Sequence, residues 1–158
     1  SMTRVETVAS KVLIGGSKLV GGATAFAPDP QPRIPYVQKC DFDKNTLTND
    51  AEHFDWMRKH LERVSDLALG PPTIGWLDEA IRETRELAAA PHPEQPVLYL
   101  LGSEEEIVAP EAIRSAAARG ANAQLVEIEG AKHEVFMETA DRRAQMWGTV
   151  DGFLAKYL

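Results

Sequence analysis

Read for its alternation of apolar and polar positions, the chain changes character near residue 94. Downstream, Val97-Leu98-Tyr99-Leu100-Leu101 is one unbroken apolar run, the pattern of a parallel strand covered on both faces. A helix with Pro110 early in it, where a missing N–H costs nothing, runs to near Gly120. A second, shorter strand follows at Gln124-Leu125-Val126-Glu127-Ile128. A last helix is predicted from Asp141 to Tyr157, with Met146, Val150, Phe153 and Leu154 on one stripe and Trp147 beside them. The order predicts a parallel pair joined by a right-handed crossover. Two strands alone make a poor sheet, so this block expects neighbouring strands.

Upstream the pattern is helical. Val5, Val8, Val12 and Leu19 recur at roughly helical spacing, with Gly15-Gly16 at the gap. The prolines of Ala27-Pro28-Asp29-Pro30-Gln31-Pro32 then forbid continuation. Thr48-Asn49-Asp50 is an N-cap cluster that opens a helix through Arg63, with Phe54, Met57 and Leu61 on one side. Gly70-Pro71-Pro72-Thr73 breaks it and starts another, Ile74 to Ala89, with Leu77, Ile81 and Leu87 facing inward. The resulting division is a connecting helix and Pro-rich turn over residues 1–35, a helical hairpin over 36–93, and an α/β block over 94–158.

Composition narrows the class. At 158 residues, 44% apolar and 26% charged, the chain is long enough for one domain with a real core and is not of disordered type. A net charge of −7, with no Lys/Arg stripe, argues against a nucleic-acid partner. The lone Cys40 excludes an internal disulfide and a Cys-rich zinc site, and fits a reducing, cytoplasmic compartment. Ala23-Thr24-Ala25-Phe26-Ala27 loosely imitates a signal-peptidase site, but Lys11 and Lys18 interrupt the apolar run before it, so a packed helix is expected there.

Candidate chemistry centres on Glu105 and His133. Each follows a predicted strand, and parallel sheets gather ligands and catalysis at the carboxyl ends of their strands. A carboxylate that accepts from an imidazole Nδ1–H fixes the tautomer a serine hydrolase needs. By pattern alone, a loop-capping histidine beside a solvated acidic turn is an equal alternative. Glu104 and Glu106 flank Glu105 and leave the register of the acid open; three adjacent carboxylates would repel and could raise one pKa. His53 and His60 share a helix face, but their spacing of seven suits a surface better than a metal. Cys40 has no adjacent base. Phe54, Trp56 and Trp76 either line an acyl-binding channel or form their own core.

Gly102-Ser103-Glu104-Glu105-Glu106-Ile107-Val108 resembles the Gly-x-x-acid-x-Ile-Val segment of α/β-hydrolases. Gly130-Ala131-Lys132-His133-Glu134-Val135-Phe136-Met137-Glu138 resembles the histidine motif of the lysophospholipase L2 and monoacylglycerol-lipase-like group. Arg143, Trp147 and Phe153-Leu154 continue that group's terminal helix, and Leu47-Thr48-Asn49-Asp50 with Leu67 to Leu77 resembles its helical cap. The resemblance implies the carboxyl-terminal part of a serine hydrolase sheet, two parallel strands with helices, plus a helical cap over 36–93. His133 would be the triad histidine and Glu105 the acid, although Asp is the usual acid and a basic residue often stands where Glu106 does.

The implied substrate is a lipid or small-molecule ester, with peripheral membrane contact through the cap and no metal or organic cofactor. The implied partner is the amino-terminal half of the fold, because no Gly-x-Ser-x-Gly elbow occurs here. Gly15-Gly16-Ser17-Lys18-Leu19 comes nearest, yet lacks the final glycine and sits in an expected helix, so the nucleophile is expected outside this chain. A non-catalytic pairing module is the competing expectation, since open edges of a two-stranded sheet invite pairing.

Overall fold

Burial in the block after residue 94 is organised around a short parallel ladder. A computed structural model of the chain describes residues 22–26 and 34–158. Ser17, the apolar stripe over residues 5–19 and the proline turn over 28–32 lie outside the described residues. Strand β1, Val97–Gly102, pairs in parallel with β2, Ala123–Ile128, in a register running from Val97↔Ala123 to Gly102↔Ile128. Because the register is in step, both strands end at the same level, and the loops that follow them start side by side.

The described helices are α1 (Tyr36–Lys39), α2 (Ala51–Arg63), α3 (Ile74–Ala89), α4 (Pro110–Arg119) and α5 (Ala140–Leu154). The described residues divide into two compact units, 22–26 and 34–39 with 64–90, and 40–63 with 91–158. This corrects the hairpin expected over 36–93: α2 belongs with the strands and α3 does not. An amphipathic stripe states that one face is buried; it does not state against what.

In the first unit, Thr73 caps α3 by accepting from the Trp76 amide. The chain at residues 22–26 runs beside that start, through a Phe26–Thr73 bridge and an Ile74 amide donating to Ala25 O at 2.8 Å. Leu77 and Ile81 are half-buried as the stripe predicts, whereas Leu87 is exposed, since it lies in the helix's last turn.

In the second unit, α4 spans the crossover between β1 and β2 and contacts both, and α5 packs on the same strands. Ile128, Ala131, Val135 and Met146 form the core, with Leu100, Val126 and Val150 against it. Val97–Leu100 are only half-buried, and no third strand lies beside them among the described residues. Leu154, placed by its spacing on the inward stripe, is exposed at the end of α5. On α2, Phe54 is buried and Met57 and Leu61 are half-buried, as their spacing predicts.

Met146 is fully buried where α5 meets the β2 end and the loop beyond it. Met146→Ala is expected to cost about 2–5 kcal/mol, the usual range for truncating a core side chain. Urea denaturation measures it, and a loss below ~1 kcal/mol would mean the core lies elsewhere.

Candidate active site

Two loops carry the site, one leaving each strand. β1 ends on Gly102, and a Cβ there would overlap the carbonyl oxygens of both Ala131 and Lys132. Only glycine lets the first loop approach the second this closely. The second loop turns at Gly130, whose φ of +68° lies in the left-handed region. Ser103 Oγ, from the first loop, accepts the Gly130 amide at 2.8 Å.

The close approach brings Glu105 and His133 together. Glu105 Oε2 accepts from His133 Nδ1 at 2.7 Å, and Oε1 accepts the amides of Ile107 at 2.6 Å and Val108 at 3.0 Å. Burial pushes the Glu105 carboxyl up; the His133 hydrogen bond and the two amides outweigh it and hold the group below its ordinary range. The repulsion anticipated from three adjacent carboxylates is not among the causes that set it. Glu104 reaches Asn49 Nδ2 at 2.9 Å, and Glu106 is exposed.

An ionised carboxylate only accepts, so Nδ1 of His133 carries the proton and Nε2 keeps its lone pair. Nε2 has no hydrogen-bond partner among the described residues. The Glu105 side chain is 4% exposed and that of His133 31%: an acid sealed behind an imidazole whose far edge is open. Such a pair can take a proton at Nε2 and return it while the carboxylate stabilises the imidazolium.

The segment before α2 braces both loops, a role its sequence did not announce. Glu134 donates its amide to Leu47 O at 2.8 Å, and Lys132 Nζ donates to Asn45 O at 2.7 Å. Buried Thr48 donates to Met137 O at 2.8 Å. Buried Glu138 accepts the amides of Asn49 at 3.0 Å and Lys132 at 2.9 Å, as well as Arg142 Nη1 at 3.3 Å. Asp50 alone caps α2, accepting the His53 amide at 3.0 Å. Thr48 and Asn49 are therefore more than the cap requires, and that surplus was the available signal.

The remaining candidates fall elsewhere. His60 stacks on Trp56, with ring centroids 4.1 Å apart, and His53 Nδ1 lies 3.0 Å from Arg143 Nη1. Among the described residues no group of His, Cys, Asp and Glu could hold a metal ion. Cys40 Sγ donates to Asp41 O. Phe54 is core, packed on Phe42, and Trp76 is exposed. Trp56 lines an open cleft of about 440 Å³ with Glu52, His53, Phe136, Met137 and Arg143, and neither Glu105 nor His133 borders it. No described helix is long and apolar enough to cross a membrane.

A crystal structure of a soluble variant of monoglyceride lipase from Saccharomyces cerevisiae, in complex with a substrate analog, superposes on 95% of this chain with a TM-score of 0.63 at 16% identity. The chain has the fold of a fragment of an α/β hydrolase. The two strands and their helices thus correspond to part of an α/β-hydrolase sheet, as the sequence resemblance implies. The chain is also 29% identical over 118 residues, 74% of its length, to the probable lysophospholipase L2 of Haemophilus influenzae. It spans 38% of that relative and 49% of the solved lipase chain, well short of the whole length of either. No family model matches the chain.

Proposed function

We propose that this chain is the carboxyl-terminal part of a serine ester hydrolase and supplies the histidine and acid of its Ser-His-acid triad. The observation that carries the reading is the 2.7 Å hydrogen bond between His133 Nδ1 and Glu105, formed at the ends of two adjacent parallel strands. A serine outside the chain attacks the ester carbonyl as His133 Nε2 takes its proton. The same proton then passes to the departing alkoxide, leaving an acyl-serine. Water repeats the cycle, giving its proton to Nε2 and its hydroxyl to the acyl carbon, and serine is regenerated. Donors to the oxyanion also come from outside the chain, at the nucleophile and an earlier loop. This chemistry uses no metal or organic cofactor.

The substrate class proposed is a lipid ester, a lysophospholipid or monoacylglycerol, since the relatives' names speak of lysophospholipase and monoglyceride lipase. The helical segment 64–90 is read as part of the cap of such an enzyme, with peripheral membrane contact and a cytoplasmic location. A second reading rests on the two-stranded sheet, beside which no third strand lies among the described residues: a module that pairs with another polypeptide and hydrolyses nothing.

Fluorophosphonate labelling of the full-length protein that carries this chain separates the two. Labelling at a serine outside residues 1–158, with turnover of a short-chain ester, is expected, and the chain alone should do neither. Labelling at Ser17 would overturn the assignment of the nucleophile. Absence of labelling and turnover in the full-length protein would favour the pairing module.

A further inference from the structure

Asn49 sits where the acid loop, the histidine loop and the start of α2 meet. Its Nδ2 donates to Glu104 Oε2 at 2.9 Å and to the Gly130 carbonyl at 2.8 Å, while its amide donates to buried Glu138 at 3.0 Å. Glu104 precedes the acid by one residue, and Gly130 is the turn that launches the segment bearing His133. One side chain therefore spans both loops from outside the Glu105–His133 pair. The hydrogen bonds flanking it are already satisfied without it: Thr48 holds Met137, and Asp50 caps the helix.

A cap cluster needs one oxygen and no bridging amide. Among the cap-forming side chains Ser, Thr, Asp and Asn, only the carboxamide offers two donors from one nitrogen, one for a carboxylate and one for a carbonyl. An aspartate in its place would set a third oxygen against both acceptors.

We infer that Asn49 is a positioning residue for the Glu105–His133 pair, fixing the spacing of the two loops so that the imidazole is held in line for proton transfer. The inference rests on the triad reading above. Misplacing a reacting group by about 1 Å can cost 10²-fold in rate, which sets the expected scale.

In the full-length protein, Asn49→Ala and Asn49→Asp are expected to lower kcat for a short-chain ester by roughly 10- to 100-fold, with KM within about twofold. The pH–rate midpoint should shift, and the downfield Nδ1–H proton resonance of His133 should broaden or move. Both effects should be larger for Asp than for Ala. Asn122→Ala, which removes only a distant hydrogen bond to Glu94 O, should leave all of these unchanged.

If Asn49→Ala keeps the wild-type kcat, pH profile and resonance, the inference is overturned. It is equally overturned if both variants unfold, or lose activity only in step with their thermal midpoints, for then Asn49 serves folding alone. His133→Ala run in parallel tells the two ideas apart. Full activity in that variant sinks the triad, whereas its inactivity beside a normal Asn49→Ala sinks only the positioning role.

Discussion

Replacing His133 by alanine is expected, on the proposed triad, to lower kcat of the full-length protein for a short-chain ester by about 10⁴- to 10⁶-fold, with KM changed only a few-fold. The size follows from where His133 stands: at the rim where both strands end, its Nδ1 donates to Glu105 at 2.7 Å and its Nε2 is open. His53, the nearest rival in type, has Nδ1 committed to Arg143 and Asp50. Binding should survive because the ring moves protons and is not the part that holds the substrate. Steady-state turnover of a chromogenic ester, with the thermal midpoint as a folding control, reads the effect. A folded His133→Ala variant within tenfold of wild type would remove His133 from the chemistry.

The strand ends were legible from sequence because the physics there is local. An unbroken apolar run followed by Gly-x-x-acid, then a second run followed by Gly-x-x-His, fixes which loops share a rim once the strands are parallel. The side-chain directions within those loops were not legible. Glu104, Glu105 and Glu106 offer identical chemistry, and the choice among them depends on a turn in which the Ile107 and Val108 amides fold back onto one carboxylate.

The placement of α2 was illegible for a different reason. Its stripe of Phe54, Met57 and Leu61 fits a helical hairpin as well as it fits the α/β block. The choice is decided by hydrogen bonds from residues 45–49 to residues more than 80 positions away. Periodicity contains no record of such contacts. Glu138 illustrates the same limit: nothing in its neighbours announces a buried carboxylate, and the amides that satisfy it come from Lys132, Asn49 and Thr139. Burying it costs little only because those donors converge.

Glu105→Gln is expected to lower kcat by about 10⁴-fold while the protein stays folded. Gln keeps the size of Glu, but an amide can present N–H to Nδ1 and so favour the tautomer with its proton on Nε2, which cannot accept from serine. Glu106→Gln, at an exposed neighbour, should leave kcat unchanged and so fixes the register of the acid.

Stability supplies an independent check on Glu105, with a definite sign. Its folded pKa lies below the ordinary value of 4.5, so ionised Glu105 stabilises the fold at pH values above about 4.5. That contribution is lost as pH falls through the lower folded value. The stability gap between wild type and Glu105→Gln should therefore be widest near neutral pH and close on acidification below the ordinary carboxylate range. Urea denaturation at pH 7 and at progressively lower pH measures it. A gap that instead widens toward low pH, or a variant with kcat within tenfold of wild type, would mean that Glu105 is neither held ionised by His133 nor its orienting acid.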